Sequence, residues 1–211
     1  MTDSKLLQQI SQKNSAKEAI AAKVVQKPEL LAEIFEGLNA EQANIKYGCD
    51  KILRLISEKA PALLYPQFDF FANNLKSENN FLKWGAIHVI ANLAAVDAEN
   101  KVERIFDGYF APLSGPVLIT AANIINGAAK IALARPDLTA RIVHALLPVE
   151  KAKYQTAECR NIALGQVIKS ADQFFDQIKD KAPMIKLIRK QLKNSRSATR
   201  KAAEKFVKKK L

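Results

Sequence analysis

The chain has 211 residues, of which 48% are apolar, so wholesale disorder is excluded and one domain or one continuous array of small units is expected. With only 7 Gly and few turn dipeptides, a β-sandwich or barrel is disfavoured. The formal charge of +12 points to an acidic partner.

From the N-terminus, Met1-Thr2-Asp3-Ser4-Lys5 leads into an amphipathic stretch with no apolar signal core or small-residue cleavage site. Residues 1–27 therefore read as an N-terminal helical cap, its helical part within 3–26, of a cytoplasmic protein. Ser15 with Glu18, and later Asn39 with Gln42, have the spacing of a capping box.

Beyond the cap, shorter apolar-periodic segments at 28–38, 63–75, 102–110, 138–147 and 184–192 alternate with longer ones. Pro28 and Pro136 suit a first helical turn, where a missing N–H costs nothing. The longer segments are related to one another. Lys46-Tyr47-Gly48-Cys49 and Lys83-Trp84-Gly85-Ala86 share the order basic, aromatic, Gly, small, at an offset of 37 residues. Ala121 and Cys159 continue the small position 36 and 38 residues further on, and Arg200-Lys201-Ala202-Ala203 is a weaker fifth copy. Ile52, Val89, Ile125 and Ala163 follow the small position by four residues and share its face.

Small residues at a fixed register allow close helix crossings, at about 8–10 Å between axes. The alternation describes an array of antiparallel pairs, a shorter helix A and a longer helix B, each burying its stripe against its neighbours. The most apolar stretch, 117–134, contains Asn123, Asn126, Gly127 and Lys130 and reads as a buried helix rather than a membrane span. No transmembrane segment is expected.

In period and in the basic-x-small-small start of helix B, residues 28–209 resemble HEAT and armadillo repeats, most clearly over 62–95. Lys46 and Lys83 match the basic position such repeats favour, while Ile119 and Ala157 interrupt it. The resemblance implies an all-α, right-handed α-solenoid of about five HEAT-like antiparallel helix pairs. Residues 28–178 would be the repeats and 179–211 a basic C-terminal capping repeat. It also implies that the B helices line a concave surface. On that surface Tyr47, Lys51, Trp84 and His88, continued by Asn123 and Arg160, would form a partner-binding groove; the alternative is that Tyr47 and Trp84 are half-buried packing residues.

Catalytic chemistry is not indicated. There is no Gly-rich phosphate loop, His-Glu-x-x-His or nucleophile elbow. Asp172 with Asp176 and Glu99 with Glu103 have the spacing of solvated helix faces, and no cofactor or metal site is expected. Three repeats separate Cys49 from Cys159, roughly 30 Å at ~10 Å per step, too far for a disulfide. Both read as small core residues.

Charge divides the chain sharply. Residues 1–178 carry 20 Lys+Arg against 19 Asp+Glu, and residues 179–211 carry 13 against two. The basic patch comprises Lys186, Arg189, Lys190, Lys193, Arg196, Arg200, Lys201, Lys205, Lys208, Lys209 and Lys210. Interleaved with Leu187, Ile188, Leu192, Ala202 and Phe206, these describe an amphipathic hairpin with one cationic face. The functional expectation is a non-enzymatic scaffold that binds a macromolecule, most simply a protein, through helix B. The alternative is nucleic-acid phosphate contact through the C-terminal hairpin.

Overall fold

A computed structural model describes residues 4–211, and every regular element among them is helical. Chain order is α1 (Lys5–Ser11), α2 (Lys17–Gln26), α3 (Leu31–Gly37), α4 (Ala43–Lys59), α5 (Pro61–Leu64), α6 (Phe68–Asn74) and α7 (Asn80–Leu93). These are followed by α8 (Lys101–Arg104), α9 (Phe106–Phe110), α10 (Leu118–Ala134), α11 (Thr139–Leu146), α12 (Ala157–Phe174), α13 (Ala182–Lys190) and α14 (Ser197–Lys210). Short 3₁₀ turns extend or join several of them, among them Pro28–Leu30, Ala111–Ser114, Pro136–Leu138 and Gln191–Lys193. The predicted alternation is present: α4, α7, α10, α12 and α14 are the long helices, and broken shorter segments separate them.

The segments break where proline stands. Pro61, Pro66, Pro112, Pro136, Pro148 and Pro183 all occupy first-turn positions, where no helical N–H is lost but the preceding ladder is interrupted.

The chain forms two compact units, 1–99 and 100–211. In the first, α1, α2, α3 and α7 all pack on α4, and α6 packs on α7. Ile45, Cys49, Ile52, Leu53 and Ile56 recur at three- and four-residue steps along α4 and are buried. Asn92 of α7 donates from Nδ2 to Ser57 Oγ of α4 at 2.8 Å.

In the second unit α12 packs between α10 and α14, and α13 leads into α14 through the 3₁₀ turn. Ile124, Ile125 and Ala128 of α10, Ala163, Val167 and Ala171 of α12, and Ala203 and Phe206 of α14 supply the core. Ser170 Oγ donates to Ile125 O at 2.7 Å, and Thr199 Oγ1 to Asn161 O at 2.7 Å, so each seam between long helices carries a satisfied polar contact. Contacts between successive segments recur at sequence separations close to the predicted period. Ser57–Asn92 spans 35 residues, Asp172–Lys209 37, Asn161–Thr199 38 and Leu113–Tyr154 41.

Several local expectations are corrected. The N-terminal stretch is two helices, α1 and α2; Asp3 and the residues before it lie outside the described residues. Neither capping box forms. Helix α4 begins after Gln42 and α2 after Ala16, both without a side-chain cap, and Ser15 Oγ instead accepts from Lys17 Nζ at 2.9 Å. The caps that do form are Ser4 on α1, Asn79 on α7 and Thr156 on α12. Cys49 is fully buried, but Cys159 lies half-exposed in the first turn of α12, where its N–H donates to Thr156 Oγ1. The small side chain that α12 needs is Gly165 instead: a Cβ there would lie 2.8 Å from Thr199 Oγ1 of α14.

Candidate functional site

In the first unit α4 and α7 bring Tyr47 and Trp84 to one aromatic cluster through a residue that the sequence reading missed. Phe81, in the first turn of α7, stacks its ring 4.7 Å from Tyr47 and 5.4 Å from Trp84, centroid to centroid. Asn79, the cap of α7, donates to the Tyr47 hydroxyl at 3.4 Å and so ties the start of α7 to α4. Tyr47 and Trp84 are half-buried, as the packing alternative required, whereas Phe81 is 55% exposed. The available signal for Phe81 was its position three residues before Trp84, on the same helix face.

The remaining groove candidates separate. Lys51 is exposed and pairs with Glu18 of α2 at 3.1 Å. His88 is half-buried, one turn after Trp84. Asn123 on α10 and Arg160 on α12 are half-buried in the second unit.

Along the same seam, Asp50 of α4 lies against Gly85 of α7 so closely that a Cβ on residue 85 would be 1.8 Å from Oδ1. The glycine thus makes room for a carboxylate, not only for a close helix crossing. Arg54, one turn further on, approaches Asp50 Oδ2 at 3.2 Å. Burial pushes the Asp50 carboxyl up to about 6, against the lowering pull of Arg54. A folded-state pKa above the unfolded value of 3.8 means that the folded chain binds the extra proton. The associated stability is fully present below the unfolded pKa and is lost as pH rises through about 6. Between pH 5 and pH 8 wild type is therefore expected to lose about 1.4 kcal/mol relative to Asp50→Asn. Paired urea titrations check this, since subtracting the two proteins removes every other titration.

Nucleophilic chemistry finds no support at the buried thiol. Burial pushes Cys49 up to about 12, so it stays protonated. Among the described residues no group of three or more His, Cys, Asp or Glu side chains could hold a metal ion. Among the same residues no helix is long and apolar enough to cross a membrane. His144 is exposed on α11.

The basic terminal unit does not present one cationic face. Part of its charge turns inward onto carboxylates of the preceding segments. Lys190 pairs with Glu150 at 3.0 Å, Lys209 with Asp172 at 3.0 Å and Lys210 with Asp176 at 2.6 Å; Arg196 pairs with Glu158. The Lys210 ammonium holds the Asp176 carboxyl below its usual range. Arg200 donates to the Asn194 carbonyl at 2.9 Å. The rest of the patch, Lys186, Arg189 and Lys193 on one segment and Lys201, Lys205 and Lys208 on α14, is exposed and has no ion-pair partner among the described residues. Asp172 of α12 and Asp176 of the 3₁₀ turn that follows it, read as a solvated pair, accept from the lysines at the end of α14, and Asp176 remains largely exposed.

No protein-family model matches the chain, and no curated protein matches it. Among solved structures, the crystal structure of an engineered protein, a Northeast Structural Genomics Consortium target, is similar at a TM-score of 0.56 and 14% sequence identity. The alignment covers 96% of this chain and 86% of that one. The shared property is the fold.

Proposed function

We propose that the chain is a HEAT-like α-solenoid scaffold that binds a protein partner through its B helices, with Tyr47, Phe81 and Trp84 as the anchor. The carrying observation is Phe81, 55% exposed yet held between two half-buried rings. Rigid, partly exposed aromatics supply large contact area at little ordering cost and dominate protein interfaces. The repeat reading is supported by the alternation of short and long helices and by the 35–41-residue spacing of contacts between segments. Counting α1 and α2 as a leading pair, the array would have one pair more than the five anticipated.

One measurement tests this reading. Baits carrying Tyr47→Ala, Trp84→Ala and His88→Ala are expected to lose the partner while retaining wild-type circular dichroism. Unchanged capture would remove the groove.

A second reading is favoured by the unpaired lysines and arginines of the terminal unit: contact with nucleic-acid phosphates. Both readings are non-enzymatic.

A further inference from the structure

The ion pairs of the terminal unit separate two kinds of cation that the sequence presents as one run. Lys190, Arg196, Lys209 and Lys210 are used within the fold, joining the terminal unit to Glu150, Glu158, Asp172 and Asp176. Lys186, Arg189 and Lys193 are exposed and unpaired, and stand at three- and four-residue steps along α13 and its 3₁₀ extension. They share one face with Ala182 and Ile185, and with Lys190 these residues line a shallow trough. No carboxylate lines it. The α14 row differs, since Glu204 interrupts it and Asp172 lies beside Lys205 in the depression between α12 and α14.

Resting on the phosphate-contact reading, we infer that this α13 row, and not the basic C-terminus as a whole, is the contact, and that its occupant is the backbone of duplex DNA. Lysine is depleted from the cores of protein interfaces, which are enriched in aromatic residues, and the trough contains no aromatic side chain. The same lack removes the stacking platform that single strands require. Ala182 and Ile185 are too small an apolar surface to enter a membrane interface. From Lys186 to Lys193 the row is about 10 Å long at 1.5 Å per residue. Laid along a duplex, with about 3.4 Å of rise per phosphate on one strand, it meets about three phosphates. No base edge is reached, so binding is indifferent to sequence.

The test is a mobility-shift series with a 20-base-pair duplex across salt, using the full chain and two charge-matched triple variants. One carries Lys186→Gln, Arg189→Gln and Lys193→Gln; the other carries Arg196→Gln, Lys209→Gln and Lys210→Gln. Three phosphate contacts give a log–log salt slope of about −2.7, or about 40-fold weaker binding between 50 and 200 mM salt. The first variant is expected to lose binding and most of that slope, and the second to stay within about threefold of wild type. Equal losses in both variants would overturn the assignment to α13 while leaving the hairpin reading standing. Absence of any shift by wild type at low salt would end the hairpin reading itself. Tighter binding of a single strand than of the duplex would overturn the choice of occupant.

Discussion

Phe206→Ala is expected to cost about 3–5 kcal/mol, read as a lowered midpoint in urea unfolding. The reason lies in how little else holds α14. Its sequence is mostly charged, and its buried residues are Thr199, Ala203 and Phe206. Phe206 is 2% exposed and sits edge-on to Phe175 at 4.9 Å. The peripheral ion pairs to Asp172 and Asp176 are solvent-accessible and contribute little beside a buried ring. A loss below about 1 kcal/mol would mean that α14 is not docked on α12 as described. Deleting 179–211 to remove the charge is correspondingly a poor experiment. It would uncover Ile168 and Phe175 as well as removing cations, so charge-only substitutions are the informative ones.

Gly115→Ala is expected to cost about 2–4 kcal/mol, combining a backbone conformation open essentially to glycine alone with an atomic clash. Gly115 has φ +106°, and a Cβ there would stand 2.2 Å from the backbone oxygen of Lys153. Unlike a flexible side-chain end, that oxygen cannot swing away. Lys153 N donates to Ser114 O at 3.0 Å, and the Tyr154 hydroxyl donates to Leu113 O at 2.6 Å, so the two segments are fastened together immediately before the glycine. Gly108 provides the control. It lies within α9 with nothing inside 4 Å of a prospective Cβ. Gly108→Ala is therefore expected to stabilise by up to about 1 kcal/mol through helix propensity alone. Thermal unfolding of the two variants under one buffer condition checks both signs.

Legibility from sequence followed the physics of each feature. Periodic burial is written directly into residue order. Ile52, Val89, Ile125 and Ala163, aligned by repeat offset, are all buried, and the long helices stand where the small-residue register put them. Caps were less legible because they depend on where the first turn begins. Asn39 and Gln42 have the right spacing, yet α4 starts at Ala43, three residues beyond the start that the motif needs. Cys159 aligned with Gly85 by repeat offset, but the close approach to the next helix falls six residues later at Gly165, because each seam has its own crossing point. Cation pairing was invisible for a different reason. Whether Lys209 or Lys205 meets a carboxylate depends on the register of α14 against α12, a tertiary quantity. The stacking of Phe81 on Tyr47 likewise depends on how α7 lies against α4.

The proposed binding surface for a protein partner is the aromatic face of α4 and α7. Quantitative affinity purification with wild type, Phe81→Ser and Phe70→Ser baits tests it most directly. Phe70 is also exposed, at 37%, but belongs to α6 and packs edge-on to Phe35 and Phe71, away from the Tyr47 and Trp84 contacts. Phe81→Ser is expected to lose the wild-type partner by at least tenfold while Phe70→Ser retains it. Retention by Phe81→Ser would contradict this assignment, and loss by Phe70→Ser alongside it would move the binding surface to the short helices.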